Sequence, residues 1–159
     1  MARKYLGACE KWFLILTLAF SSCLIMLQII MRACNHGLAW SEELARFLFI
    51  WQVWIGIAYA TSRWNHLRIT FLRDLTHGRV KEVWELFVIV WWFIFGAFLV
   101  CKGFEFTLMT AARGQRSTAL RIPMAYVYAG IPVGCTLMNI HLLEVFIEKL
   151  RHFGREDAV

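Results

Sequence analysis

The chain has 159 residues, of which 60% are hydrophobic, 16% aromatic and 18% charged, with a formal net charge of +6. A water-soluble domain is nearer half apolar and a quarter charged, so this chain has too little polar surface to cover a core in water. The basic excess is strung along the segments between apolar blocks, which argues against a nucleic-acid footprint and for a membrane orientation signal.

The apolar residues gather in four blocks: Trp12 to Met31, Leu44 to Thr61, Val83 to Phe104 and Ile122 to Ile147. Each approaches or exceeds the roughly 20 residues that cross the hydrocarbon core as a helix. Backbone in hydrocarbon must satisfy its own hydrogen bonds, so such blocks predict helices. The expected fold class is an all-α integral membrane protein. Its single domain, 1–159, holds four transmembrane helices at about 12–31, 44–61, 83–104 and 122–147.

In chain order, the first block follows Arg3 and Lys4 but runs through "CLIMLQIIM" without a small-x-small cleavage site, so a retained helix is expected rather than a signal peptide. Gln28 is nearly its only polar residue. Asn35-His36-Gly37 reads as a short turn. Ser41 then stands where an N-cap belongs, followed by Glu42 and Glu43 where the helix dipole favours negative charge. Arg46 lies at i+4 from Glu42 and i+3 from Glu43, so either carboxylate could pair with it.

After the second block, Leu67, Phe71 and Leu75 recur at i, i+4 and i+8 with Arg68, Arg73 and Asp74 elsewhere. That spacing predicts a short amphipathic helix at about 64–77, lying in the headgroup plane or cradling a partner helix. Arg79 to Ala112 carries no proline and reads as one long helix, to be tilted or projecting from the membrane. Trp51, Trp54, Trp84, Trp91 and Trp92 are only partly explained by interfacial belts, and the deeper ones are expected to pack against protein. Pro123 suits the start of the last helix and Pro132 should kink it, with Gly130 and Gly134 permitting close helix approach. His141 is expected to be a hydrogen-bonded structural histidine.

Arg3, Lys4 and Lys11, then Arg63, Arg68, Arg73, Arg79 and Lys81, then Lys149, Arg151 and Arg155 outnumber Arg32, Arg46, Lys102, Arg113, Arg116 and Arg121. This bias predicts both termini and the second loop on the cytoplasmic side, N-in and C-in.

Catalytic chemistry is not visible. There is no nucleophile elbow, phosphate loop or metal-ligand cluster. Five scattered cysteines lack any C-x-x-C, so neither disulfide nor zinc is expected. Histidines at matched depth, which a haem bundle would need, are missing, so no cofactor is expected and an electron-transfer subunit is a weak alternative. The helix centres carry only Gln28, Gln52 and Asn139, which is poor equipment for a stand-alone transporter or channel.

The run "WSEELARFLFIWQVWIGIAYATSRWNHLRITFL" from Trp40 to Leu72 resembles the signature of the small membrane subunit (DctQ type, Q subunit) of tripartite ATP-independent periplasmic (TRAP) transporters. The matching positions are Trp40, Ser41, Glu42, Glu43, Arg46, Gly56, Arg63 and His66. The stretch "ALRIPMAYVYAGIPVG" resembles the family's fourth helix at Pro123, Tyr128, Pro132 and Gly134. Leu67 and Ile69 replace the usual Ile and Val, and Thr70 stands where the family has Asp.

The resemblance implies a non-enzymatic subunit of the bacterial inner membrane. It would scaffold a large elevator-type subunit for sodium-coupled uptake of an organic acid of the sialic acid or C4-dicarboxylate class. A periplasmic binding protein would dock transiently. Ser41, Glu42, Glu43, Arg46, Arg63 and His66 are then candidate cap and interface residues. Arg113, Arg116 and Arg121 are candidates to receive the binding protein, and Gly56, Gly130, Pro132 and Gly134 are candidates for packing and kinking.

Overall fold

A computed structural model describes residues 2–63 and 79–152. Its elements are α1 (Ala2–Ala33), α2 (Ala39–Ser62), α3 (Arg79–Ala112), the short α4 (Met124–Tyr128) and α5 (Gly130–His152). Among the described residues, four stretches are long and apolar enough to cross a membrane: Leu6–Ala33, Ala39–Ser62, Leu86–Ala112 and Met124–Lys149. The expected all-α class holds, with no strand among the described residues. The amphipathic segment anticipated at 64–77 lies outside them.

The helix ends follow from local chemistry. Asn35, in the left-handed region at φ 60°, closes α1. Its N–H bonds Arg32 O and the N–H of His36 bonds Met31 O, the paired bonds of a Schellman end. Gly114 at φ 61° terminates α3 in a related way, donating to Ala111 O. The 34 residues of α3 run without a break, about 50 Å at 1.5 Å per residue.

Pro132 has no N–H to give Tyr128 O, so the last span is broken. Regular helix stops at Tyr128, and Ala129, at φ −58° and ψ −22°, carries the chain into α5. Nearby, the indole of Trp51 donates to Tyr126 O at 3.2 Å.

The helices run alternately up and down. Glu10 of α1 meets His141 of α5 at one end, and Gln28 of α1 meets Glu42 of α2 toward the other. α5 is central, packed on both α2 and α3, while α1 packs on α2. Ala58, Ile89, Met138, Leu142 and Val145 form the core, with Phe93, Leu137 and Phe146 against it.

Small residues set the spacing. A Cβ on Gly134 would lie 2.6 Å from both Cβ and O of Trp54, and one on Gly130 would lie 3.3 Å from the Trp51 ring. Gly56 leaves room for Leu14 of α1, whose Cδ2 lies 4.0 Å from where a Cβ would stand. Trp51 and Trp54 therefore pack inside the chain, whereas Trp84, Trp91 and Trp92 face outward. Gln52 donates to Ser21 Oγ across α1 and α2 at 2.9 Å.

Gly134→Ala forces α2 and α5 apart, because the atoms it meets are backbone and Cβ rather than a flexible tip. The variant is expected to lose about 2 kcal/mol of stability, read as a lowered thermal midpoint of the detergent-purified protein. Gly37→Ala, with open space at its Cβ, should leave the midpoint unchanged.

Candidate functional site

The loop-bearing end of the bundle gathers Ser41, Glu42, Glu43 and Arg46 of α2 with Arg113, Arg116 and Arg121. α2 starts at Ala39, so Ser41 belongs to its first turn and is not the N-cap; Leu38 is, with no side-chain cap bond. The expected cap is corrected for a physical reason. The fully buried Ser41 hydroxyl donates to Leu38 O at 2.8 Å, using its hydrogen on a carbonyl instead of accepting an amide.

The two glutamates separate. Glu42 is exposed and lies 3.6 Å from the Arg46 guanidinium, while Gln28 Nε2 donates to its second oxygen at 3.3 Å. Exposed pairs of this kind contribute little, about 0.3–0.5 kcal/mol. Glu43 makes no such pair among the described residues. Its carboxylate accepts the backbone N–H groups of Thr118 at 3.2 Å, Ala119 at 3.0 Å and Leu120 at 2.9 Å. The Thr118 hydroxyl approaches at 3.4 Å.

Those amides belong to the connection between α3 and α4. Ser117 N–H bonds Ile122 O at 3.0 Å and Met124 N–H bonds Gln115 O at 2.9 Å, and Arg116 pairs antiparallel with Pro123. Ser117 is buried, and its Oγ also accepts from Leu120 N–H. The result is a tight turn with Arg121 left-handed at φ 54°. Arg113, Arg116 and Arg121 are all exposed on it.

At the opposite end Arg63 is exposed, its guanidinium 5.7 Å from the centre of the Tyr59 ring. The structure does not bring it together with the α2 start, and His66 lies outside the described residues. Near Arg63's end, His141 Nε2 sits 3.0 Å from Glu10 Oε1, both buried. Its Nδ1 lies 3.5 Å from Glu144 Oε2, and neither atom has a hydrogen-bond partner among the described residues. Asn139 Oδ1 is also unpartnered and presses on Gly96. Nothing local marks Glu10, which stands beside Lys11 at the edge of the first apolar block; only its spatial partner, 131 residues away, gives it a role.

No group of three His, Cys, Asp or Glu residues is arranged to hold a metal among the described residues. The five cysteines are free, four of them exposed. What the arrangement offers is surface: an anchored basic turn at one end and a buried acid–imidazole contact at the other.

Apolar spans on this scale define a multi-pass integral membrane protein. A family model for tripartite ATP-independent periplasmic transporters, DctQ component, matches residues 21–152, and the chain belongs to that family. It is thus a transporter component of the inner membrane.

The chain is 28% identical over 120 residues to the isethionate TRAP transporter permease protein DctMQ of Oleidesulfovibrio alaskensis, covering 76% of this chain and 19% of that protein. It is 29% identical over 109 residues to the C4-dicarboxylate TRAP transporter small permease protein DctQ of Rhodobacter capsulatus, covering 69% and 48%. A third relative, the sialic acid TRAP transporter permease protein SiaT of Haemophilus influenzae, is 28% identical over 143 residues, covering 89% and 23%. The chain thus spans less than half the length of each of these relatives.

His141→Leu leaves the Glu10 carboxylate buried without its partner, a change of the kind that costs about 3–5 kcal/mol. The double variant Glu10→Leu with His141→Leu removes both polar groups and should recover most of that loss. Thermal midpoints of the two variants and of wild type check this non-additivity.

Proposed function

We propose that this chain is the small permease subunit that scaffolds a large, elevator-type TRAP permease subunit. The pair takes up an organic acid, of the sialic acid or C4-dicarboxylate class, by sodium-coupled symport with a soluble binding protein. The family match over residues 21–152 carries this reading. The names of the relatives, for isethionate, C4-dicarboxylate and sialic acid, supply the substrate class by analogy.

Charge placement supports a scaffold over a conduit. No charged residue stands between Lys11 and Arg32, between Arg46 and Arg63, between Glu85 and Lys102, or between Arg121 and His141. Coupling ions and anionic solutes need buried polar groups near the midplane. Gln28 and Gln52 are engaged with other side chains of this chain. The partner therefore carries the substrate and sodium sites.

The termini and second loop face the cytoplasm, as the distribution of Lys and Arg directs. The turn with Arg113, Arg116 and Arg121 then faces the periplasm, where it receives an acidic surface of the binding protein. Glu42 and Arg46 lie on the same side, at the head of α2.

Tagging this chain alone and expressing it with its cognate large permease subunit should yield a stoichiometric pair in detergent. Proteoliposomes should then take up substrate only with both subunits, the binding protein and a sodium gradient. Flux through this chain alone would overturn the reading in favour of an autonomous transporter, and a visible haem spectrum would favour an electron-transfer subunit.

In the same assay, Arg113→Glu, Arg116→Glu and Arg121→Glu together should slow uptake at limiting binding protein by roughly tenfold at low salt, with a smaller deficit as ionic strength rises. Uptake at the wild-type rate would remove the docking assignment.

A further inference from the structure

We propose that Glu43 is a positioning residue: by gripping the amides of residues 118–120 it presets the shape of the basic turn on which the binding protein docks, without touching that protein itself. This rests on the docking role given above to Arg113, Arg116 and Arg121.

A connection with three exposed arginines is poorly suited to hold one shape. Like charges repel, and none of the three is in an ion pair among the described residues. Two backbone hydrogen bonds, Ser117 to Ile122 and Gln115 to Met124, close the turn. They leave the N–H groups of Thr118, Ala119 and Leu120 pointing together, and Arg121 in a left-handed conformation that non-glycine residues seldom adopt.

Glu43 supplies what the turn lacks. Its two oxygens take all three N–H groups within 3.2 Å, and hydrogen bonds to an ionised acceptor are among the stronger ones in proteins. The carboxylate stands on α2, a continuous helix whose Ser41 and Phe47 are buried in the bundle. The turn is thus tied to the rigid centre across about 75 residues of sequence. Glu42, one residue earlier, contacts Gln28 and Arg46 instead and makes no bond to the turn.

A preset surface spares the partner the cost of ordering it on docking. The readout is therefore the amount of binding protein needed, and not the rate once it is abundant. In proteoliposomes with the large subunit, Glu43→Gln should raise the half-saturating binding-protein concentration roughly fivefold and leave the maximal rate near wild type. Hydrogen–deuterium exchange at amides 118–120 of the detergent-purified complex should quicken by about tenfold or more. Glu42→Gln should change neither.

Glu43→Gln with faster exchange and an unmoved half-saturation would overturn the proposal, as would a lower complex yield or maximal rate with half-saturation unmoved. Arg116→Glu separates the two readings. If it too leaves half-saturation unmoved, the docking role itself falls, whereas a shift with Arg116→Glu but none with Glu43→Gln removes only the positioning role. Should Glu43→Gln fail to assemble, Ser117→Ala tests the same turn by deleting the hydroxyl that accepts from Leu120 N–H. It should move half-saturation in the same direction by roughly twofold, and no shift would overturn the proposal.

Discussion

Helices in a bilayer gain no hydrophobic free energy by meeting one another, since lipid is as apolar as leucine. Association rests on close van der Waals contact, and the approach of α2 to α5 at Gly130 and Gly134 provides it. The Trp51 ring lies over Gly130, and Trp54 brings its Cβ and carbonyl against Gly134. Because α5 also packs on α3, this contact determines where three of the four spans sit. The same tryptophan, Trp51, reaches Tyr126 O beside the break that Pro132 imposes. α4 is thereby registered to α2, and the turn that precedes α4 arrives within reach of Glu43.

Charged groups stand toward the ends of the spans, and each does a different job there. At the loop-bearing end an exposed Glu42–Arg46 pair decorates the surface while Glu43 reaches across to another segment. At the other end, Glu10 and His141 bury a polar contact between the first and last spans. α1 otherwise packs chiefly on α2, so this contact joins it to the central helix by a bond whose loss cannot be made good by water.

The spans were legible because hydropathy and length are local properties. "FLFIWQVWIGIAYA" needs no partner to be read as a helix in hydrocarbon, and Pro132 needs none to break one. Close packing at Gly130 and Gly134 was legible for the same reason, since only a missing side chain allows such contact. The start of α2 was not. Ser-Glu-Glu carries every local sign of an N-terminus, yet Ala39 and Trp40 already belong to the helix and the serine hydroxyl turns to a carbonyl. Glu43's partners and Glu10's partner were beyond reach altogether. Their contacts join residues 75 to 131 positions apart, and one sequence carries no signal at that range.

A structural consequence separates the two adjacent glutamates more sharply than their sequence does. Successive residues on a helix are turned by about 100°, so if one faces the groove toward a neighbouring segment, the next faces elsewhere. Glu42 faces α1 and meets Gln28, while Glu43 faces the α3–α4 connection and meets its amides. Exchanging their roles would require rotating α2, which the Trp54–Gly134 contact forbids. The close packing at the centre of the bundle thus decides which carboxylate is left as surface charge and which one shapes the loop.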